Sequence, residues 1–442
     1  MRDTYFLFQV IVLFSSKILK NTKTMWIFFV FCSFFLGFAR RFLPQHSIFA
    51  GIIPGVDLLF LITTVMLLIN WKFDYNRRFR GLEICVISII LISFLSVFNL
   101  VNSSFFVGIA GFIAFAIPIL YFFVGENIGK ALRINLMKYF FFFTVLTSLY
   151  GIFQVINGYP SWDQIWVNKS IDSGDYVIVG FAENRPFSTF SSVGEMCVVM
   201  SVGALCGSYL LKKKHLNGKF VYIFSQLSIV LCAALSASRG GLIFTLLGVF
   251  SQNLLNSNKF TTKAPLVKIS ISISILAIVL PVLTRAVAPY TNQIAQSLLS
   301  RQEAGLNGNA SDVPTAFVHI IQSIEGVNLG VKSVIGFGVG KISGAQTLAG
   351  EARTNFEADF SNLIYAFGLL GILLFASLIF YLVRFSREQI KIQEWFIPTI
   401  LIINSNNWTN PGHYSVNWFF WILLGSFYAE YNLNKQDSRT DA

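Results

Sequence analysis

Charged residues are scarce in this chain. Only 12% of its 442 residues are Asp, Glu, Lys or Arg, about half of the roughly 25% that a soluble globular protein carries. Hydrophobic residues make up 55%, with 47 phenylalanines among them, and the mean hydropathy is +0.65. A single soluble core cannot bury so many large apolar side chains, whereas a bilayer can surround them. The composition therefore excludes a soluble protein and predicts an integral membrane protein.

The chain also lacks the residue spacings that mark metal sites, disulfide frameworks and nucleotide-binding loops. Its five cysteines lie in apolar stretches without a CxxC pair, and its four histidines are scattered. Neither a Gly-Lys-Ser/Thr phosphate loop nor a His-Glu-x-x-His pair occurs. We therefore expect no metal ion and no cofactor. The net charge of +12 gathers in short loops between apolar stretches, which favours a membrane topology over nucleic-acid binding.

Long apolar stretches recur along the chain and predict about twelve transmembrane helices. The predicted spans are 25–40, 47–70, 82–101, 103–124, 138–157, 192–211, 220–237, 239–254, 264–284, 360–383, 394–408 and 413–430. Basic residues cluster in five short loops that fall on one side of this arrangement. The positive-inside rule makes that side cytoplasmic, together with both termini. Arg40 and Arg41 are the local exception to the rule.

The spans predict one transmembrane domain, residues 25–430, followed by a cytoplasmic tail at 431–442. Residues 1–24 form an N-terminal extension whose apolar stretch is too short to cross a bilayer comfortably. Either this extension lies on the membrane surface or adds a helix, or translation starts at Met25. Two large loops fall on the external side, at 158–191 and 285–359.

The larger external loop carries its own helical pattern. Asp312 and a following proline mark a helix start, and Phe317, Ile320, Ile321 and Ile324 then repeat at helical spacing. The pattern predicts at least one amphipathic helix that packs on the membrane domain.

Arginines at the external edge of the predicted bilayer are candidates for binding an anion, because a charge placed there costs free energy. The candidates are Arg185, Arg239, Arg285 and Arg301. A guanidinium group stays charged and binds phosphate oxygens in a bidentate manner. Since a phosphate beside a bilayer is usually lipid-linked, these arginines predict a lipid phosphate or pyrophosphate as the ligand.

Each of these features also has a structural interpretation. Arg185 can cap the membrane interface, and Glu195, inside an apolar span, can pair with an arginine. His319 on an amphipathic helix is more often a packing residue. Glu357 and Asp359 precede a span, where carboxylates favour a helix N-terminus.

The order of these segments resembles the superfamily of O-antigen ligases and Wzy-type O-antigen polymerases. The matching segments are Arg185-Pro-Phe-Ser-Thr-Phe, Ser238-Arg239-Gly240, Gly336-Phe-Gly338-Val-Gly340, Glu357-Ala-Asp359 and Asn410-Pro-Gly-His413. The resemblance covers residues 40–430, mostly as architecture. It implies an all-α, GT-C-like polytopic protein of the bacterial inner membrane, with about twelve transmembrane helices and a large, partly helical periplasmic loop.

The resemblance also implies a reaction. A growing glycan on undecaprenyl pyrophosphate passes to the next lipid-linked unit by an inverting, metal-independent transfer. Glu357, with Asp359 second, is then the base for the acceptor hydroxyl. Arg185, Arg239 and one of Arg285 or Arg301 stabilise the leaving pyrophosphate. The supporting candidates are Glu195, His319 and Arg353, and Trp162, Trp166 and Tyr176 are candidates for contacting sugar rings. Implied partners are the lipid-linked glycan, the bilayer and a chain-length regulator protein.

Alternative functions stay open on the sequence. In the ligases a histidine stands at the position of Glu357, so Glu-x-Asp favours a polymerase over a ligase that transfers the glycan to lipid A core or another acceptor. A flippase for lipid-linked oligosaccharides would show inverted repeats and charges at the membrane midplane. A scaffold without chemistry is the remaining alternative.

Overall fold

The structure, a computed structural model, describes residues 22–41, 80–172, 185–254, 315–342, 356–391, 394–405 and 414–440, apart from 100, 103, 191, 217, 237 and 357. Within these ranges the chain is helical and contains no β-strand. The helices are α1 Thr22–Arg41, α2 Gly81–Leu95, α3 Phe105–Asn127, α4 Lys130–Asn157, α5 Ser161–Asp172, α6 Val193–Lys212, α7 Lys219–Leu235, α8 Arg239–Leu254, α9 Thr315–Gly330, α10 Val339–Ile342, α11 Asp359–Lys391, α12 Phe396–Ile403 and α13 Tyr414–Thr440.

Five helical segments of the described ranges are long and apolar enough to cross a bilayer. They are Gly81–Phe98, which joins α2 to a 3-10 turn, and the helices α3, α4, α6 and α11. Helices α7 and α8 are also apolar but shorter. The described part is thus an all-helical membrane protein, as the composition predicts. The predicted spans 47–70 and 264–284 lie outside the described residues, so the number twelve stays a prediction.

Helix α12 is shorter than the span predicted at 394–408. Its eight residues, Phe396–Ile403, cover about 12 Å at 1.5 Å per residue. The helix ends where the side-chain amide of Asn404 donates to the carbonyl of Ile400 at 3.1 Å. Nearly all of its side chains are buried among α6, α8, α11 and α13. Within the described residues α12 is therefore a buried apolar element, too short to cross a bilayer by itself.

Glycines let α3 and α13 pack backbone against backbone. A Cβ on Gly125 would lie 2.2 Å from the carbonyl oxygen of Ile422, and a Cβ on Gly425 would lie 2.0 Å from that of Phe122. Small residues at such crossings allow the close contact that holds helices together in a membrane. The pair forms one of the most extensive helix contacts in the described structure.

Basic residues from several loops meet at one end of the bundle. Arg133, in the first turn of α4, forms an ion pair with Glu430 on α13 at 2.5 Å. Lys213, just after α6, pairs with Glu394, which precedes α12. Arg80 and Arg384 line a common cavity with residues of α13. That this end faces the cytoplasm stays a prediction, and the basic loop at 259–268 lies outside the described residues.

Helix α9 matches the amphipathic helix predicted in the large external loop, but its contact face differs from the apolar stripe that indicated it. The helix packs on α11 through glycines: a Cβ on Gly326 would lie 2.5 Å from the Phe356 ring, and one on Gly330 would lie 2.5 Å from the Ile364 carbonyl oxygen. Ile320, Ile321 and Ile324 are 54–55% exposed. Close backbone packing, rather than burial of the isoleucines, therefore positions α9.

Candidate functional site

The segment that follows α5 brings Arg185 to the Ser-Arg-Gly turn. The Nε of Arg185 donates a hydrogen bond to the carbonyl oxygen of Ser236 at 2.7 Å. Ser236 ends α7, and Arg239 begins α8 three residues later. Two of the predicted arginine-bearing segments, 51 residues apart in the chain, therefore meet in space.

A tyrosine holds the backbone at Arg185. The hydroxyl of Tyr159 donates to the Arg185 carbonyl oxygen at 2.6 Å. Burial raises the pKa of Tyr159, an effect that the positive charge of Arg185 partly offsets. The hydroxyl therefore stays protonated at physiological pH and can keep donating. Its ring packs edge-on against Phe187 at 5.4 Å, so the residue fixes both the backbone and the packing of this segment.

Gln154 and Thr147 of α4 fix the shape of the segment. Ser188 has a φ of +54°, a left-handed conformation that non-glycine residues rarely adopt. The Oε1 of Gln154 accepts from the amides of Phe187 at 3.1 Å and Ser188 at 2.7 Å. The Ser188 hydroxyl donates to the carbonyl oxygen of Thr147 at 2.6 Å. Such strain, on the order of 1–3 kcal/mol, persists only where surrounding contacts determine the backbone, as they do here.

A buried ion pair lies beneath the same segment. Arg41, the last residue of α1, pairs with Asp163 on α5, and both side chains are 0% exposed. Arg41 also donates to the carbonyl oxygens of Ser188 and Phe190. Its guanidinium lies 4.7 Å from the centre of the Phe187 ring. One side chain therefore joins α1 and α5 to the segment that carries Arg185.

Two further donors complete the shell of Asp163. The Tyr150 hydroxyl donates to its Oδ2 at 2.8 Å, and the Nε2 of Gln154 donates to the same oxygen at 2.6 Å. A buried carboxylate needs such partners because its desolvation is costly. Arg41 and Asp163 are not among the site residues that the sequence motifs predict. The sequence signal for this pair was that Arg41 is an exception to the positive-inside rule. An arginine can be kept at that end of the helices when it is buried against a carboxylate.

Serines shape the turn before Arg239. The Ser238 hydroxyl accepts from the amide of Gly241 at 3.2 Å, an N-cap that starts α8. The Ser236 hydroxyl accepts from the amide of Ser238 at 3.2 Å. A Cβ on Gly241 would lie 2.6 Å from Cys197, so only glycine lets α8 start this close to α6. Arg239 itself is half-buried.

Arg239 stands where a helix disfavours a cation. The N-terminus of a helix carries a positive partial charge, and a basic residue in the first turn costs up to about 1 kcal/mol. An anion bound at this point would interact favourably with both the guanidinium and the helix terminus. The arrangement is thus electrostatically suited to an anionic ligand.

Asp359 lies in a second cluster, at the start of α11. Its side chain is 3% exposed. One helical turn later, the side chain of Asn362 accepts from the amide of Phe356 at 2.9 Å and donates to the carbonyl oxygen of the same residue at 2.6 Å. These two hydrogen bonds fix the backbone at Phe356, three residues before Asp359.

The Gly336-Phe-Gly338-Val-Gly340 segment packs onto the same cluster. The amide of Phe337 donates to the carbonyl oxygen of Tyr365 at 3.0 Å, and that of Gly338 to Ala366 at 2.9 Å. Phe337 and Tyr365 stack with ring centres 4.6 Å apart. Gly336 and Gly338 have φ values of +69° and +87°, which glycine adopts without strain. The segment is therefore a tight turn that glycine makes possible.

The other predicted residues are placed as follows. Glu195 is buried in the first turn of α6, where its amide donates to the Ser192 hydroxyl at 3.1 Å. His319 lies on α9. Trp162, 38% exposed, donates to the Tyr150 hydroxyl at 2.8 Å, and Trp166 is half-buried on the same helix, α5. Residues that fall outside the described part of the chain are Tyr176, Arg285, Arg301, Arg353, Glu357 and His413.

Within the described ranges, no group of three or more His, Cys, Asp or Glu residues is arranged to hold a metal ion.

No protein-family model, no curated protein and no solved structure matches the chain.

Proposed function

We propose that this protein is a membrane glycosyltransferase that polymerises lipid-linked polysaccharide repeat units at the outer face of the bacterial inner membrane. The growing glycan would leave undecaprenyl pyrophosphate and join a sugar hydroxyl of the next lipid-linked unit. The observation that carries the proposal is the hydrogen bond from Arg185 to Ser236 at 2.7 Å, because it joins two arginine-bearing segments at one end of the helices.

The arginines stabilise the leaving group of the proposed reaction. As the bond to the anomeric carbon breaks, negative charge develops on the leaving pyrophosphate and must be stabilised. Arg185 is held through its Nε, and Arg239 stands at the N-terminus of α8. Preorganised donors of this kind stabilise developing charge without reorganising during the reaction. Arg285 and Arg301 are the proposed additional cations.

The proposed reaction also requires a carboxylate that removes the proton from the acceptor hydroxyl. Glu357 is the proposed base and Asp359 the second candidate. The support is the fixed backbone on either side of Glu357: Asn362 holds Phe356 through two hydrogen bonds, and the Ser361 hydroxyl donates to Ala358 at 2.9 Å.

The proposal is tested by reconstituting the purified protein in liposomes with a lipid-linked repeat unit. Arg239→Ala should slow elongation by about 10²–10³-fold, the usual effect of losing one charge-stabilising donor. Arg239→Lys should recover part of the rate, because it keeps the charge but loses the bidentate geometry. Arg387→Ala, an exposed arginine on α11, is the matched control and should elongate normally.

Substitution of the proposed base gives a separate test. Glu357→Gln should slow elongation by about 10²–10⁴-fold, whereas binding of the lipid-linked donor stays within a few-fold of wild type. Full-length products from both Arg239→Ala and Glu357→Gln would refute the mechanism.

The products distinguish the rival functions. Chains that lengthen on the lipid carrier support a polymerase. Transfer of a finished chain to lipid A core or another acceptor, without lengthening, would indicate a ligase. Movement of the lipid-linked unit between leaflets without elongation would indicate a flippase.

A further inference from the structure

A cavity lies at the end of the bundle opposite the arginine segments. It has a volume of about 320 Å³ and opens between the start of α2, the last turns of α11 and the second half of α13. The side chains that matter for its chemistry are Arg80, Tyr381, Arg384, Glu388, Tyr428 and Tyr431. It shares no residue with the proposed glycosyl-transfer site.

Aromatic rings form the walls of this cavity. A Cβ on Gly81 would lie 2.1 Å from a ring carbon of Tyr381, so glycine lets that ring lie directly on the start of α2. Phe385, 3% exposed, packs edge-on against Tyr428 at 5.4 Å and Tyr431 at 5.6 Å. The cavity is therefore built from three helices that are far apart in the sequence and fixed by packed rings.

The cavity lies beside the ends of two candidate membrane spans. One span begins at Gly81, and another ends at Ile390. Phe380, one turn before Arg384 on α11, and Val383, directly before Arg384, are 60% and 44% exposed. A ligand with a polar head and apolar chains would place its head in the cavity and its chains along these side chains.

Two guanidinium groups face this cavity and can hold an anion between them. Arg80 and Arg384 supply them and Glu388 adds one carboxylate to the lining, while Glu83 and Glu126 act on Tyr428 from outside the lining. Among the described residues, neither guanidinium takes part in an ion pair. A phosphodiester carries one negative charge and presents two oxygens, which guanidinium groups bind in a bidentate manner.

We infer that this cavity is a binding site for the head group of an anionic phospholipid, with the phosphodiester held between Arg80 and Arg384. The tyrosine hydroxyls and Glu388 face the remaining polar part of the head group, and the acyl chains lie along Phe380 and Val383. Such a lipid joins α2, α11 and α13 at the membrane surface.

Native mass spectrometry of the purified protein tests the site. The probes are phosphatidylglycerol and phosphatidylcholine of equal chain length, added at equal concentration, and the readout is the occupancy of the first bound lipid. Phosphatidylglycerol should bind at least tenfold more tightly, a difference of about 1.4 kcal/mol. Arg384→Gln should remove that preference. Arg387→Gln, which alters an exposed arginine of α11 outside the cavity lining, should keep it.

Several outcomes would overturn the inference. An equal loss of preference in Arg384→Gln and Arg387→Gln would mean that general surface charge, rather than the cavity, selects the lipid. Displacement of phosphatidylglycerol by an excess of inorganic phosphate would assign the cavity to a soluble phosphate compound. Arg80→Gln serves as a second variant should Arg384→Gln fail to purify as a single species. Since elongation of glycans is not measured, the result is independent of the proposed glycosyl transfer.

Discussion

Two arginine–carboxylate pairs hold this protein together at opposite ends of its helices. Arg41 pairs with Asp163, and both side chains are 0% exposed. Arg133, whose side chain is 2% exposed, pairs with Glu430, whose side chain is 36% exposed. Each pair joins segments distant in the chain, 122 residues apart in one case and 297 in the other. The same type of ion pair thus occurs once with a buried carboxylate and once with a partly exposed carboxylate.

The difference between the pairs lies in what surrounds the carboxylate. Asp163 accepts hydrogen bonds from Tyr150 and Gln154 in addition to Arg41, as a carboxylate without access to water requires. Glu430 is shared between Arg133 and Lys130, at 2.5 and 3.5 Å, and retains contact with solvent. Burial therefore makes the first pair dependent on a complete set of partners, whereas water reaches the carboxylate of the second pair.

Asp163→Ala should cause the largest loss of stability. It leaves the guanidinium of Arg41 buried without its carboxylate, which typically costs about 3–5 kcal/mol. The thermal unfolding temperature in detergent, followed by size-exclusion chromatography after heating, measures the effect. The double variant Arg41→Met with Asp163→Leu is the control, because replacing both charges by apolar side chains should recover much of the loss. A double variant no better than Asp163→Ala would contradict this explanation.

Gln154→Met should have the next largest effect. The substitution keeps the length of the side chain but leaves the amides of Phe187 and Ser188, now bonded to Oε1, without an acceptor. A buried donor left unsatisfied costs about 1–3 kcal/mol. Unfolding in detergent measures the loss, and Asn168→Leu on the exposed face of α5 is the control. Under the proposed function, elongation should fall together with stability, because the same amides position the segment that carries Arg185.

Much of the described fold follows from apolar run length. The stretches 82–101, 103–124, 192–211 and 360–383 are each long enough to cross a bilayer, and each corresponds to a helix that begins within two residues of the prediction. The prediction at 394–408 overestimated α12. The helix covers only Phe396–Ile403, because hydropathy measures how apolar a stretch is and contains no information on where its backbone stops being helical.

The sequence motifs of the candidate site could be predicted, but the tertiary contacts that hold them in place could not. Arg185 and the Ser-Arg-Gly turn stand out in the sequence as polar groups beside apolar runs. Their contact depends on a left-handed Ser188 and on an arginine 144 positions before Arg185. No local pattern encodes such tertiary partners, so only the charge anomaly at Arg41 pointed towards them.

Glu430→Gln should weaken this pair by about 1–2 kcal/mol, because a charged hydrogen bond to the buried Arg133 becomes a neutral one. Arg133 keeps its hydrogen bond to the Ser426 carbonyl oxygen at 3.3 Å and its position 4.0 Å from the centre of the Phe427 ring. The unfolding temperature in detergent measures the change. Arg133→Ala should cost more than Glu430→Gln, since it also removes the contact with the ring. The reverse order would mean that the carboxylate, rather than the ring, holds the guanidinium.

Lys213→Ala should cause the smallest loss of stability among these variants. Lys213, 38% exposed, pairs with Glu394, and exposed pairs contribute about 0–1 kcal/mol. Salt should reduce even this contribution, because the Debye length falls from about 10 Å at 0.1 M to about 3 Å at 1 M. Unfolding of wild type and variant should therefore coincide at high salt, whereas the Asp163→Ala difference should persist there. If Lys213→Ala cost as much as Asp163→Ala, burial would not be what separates the two ends of the protein.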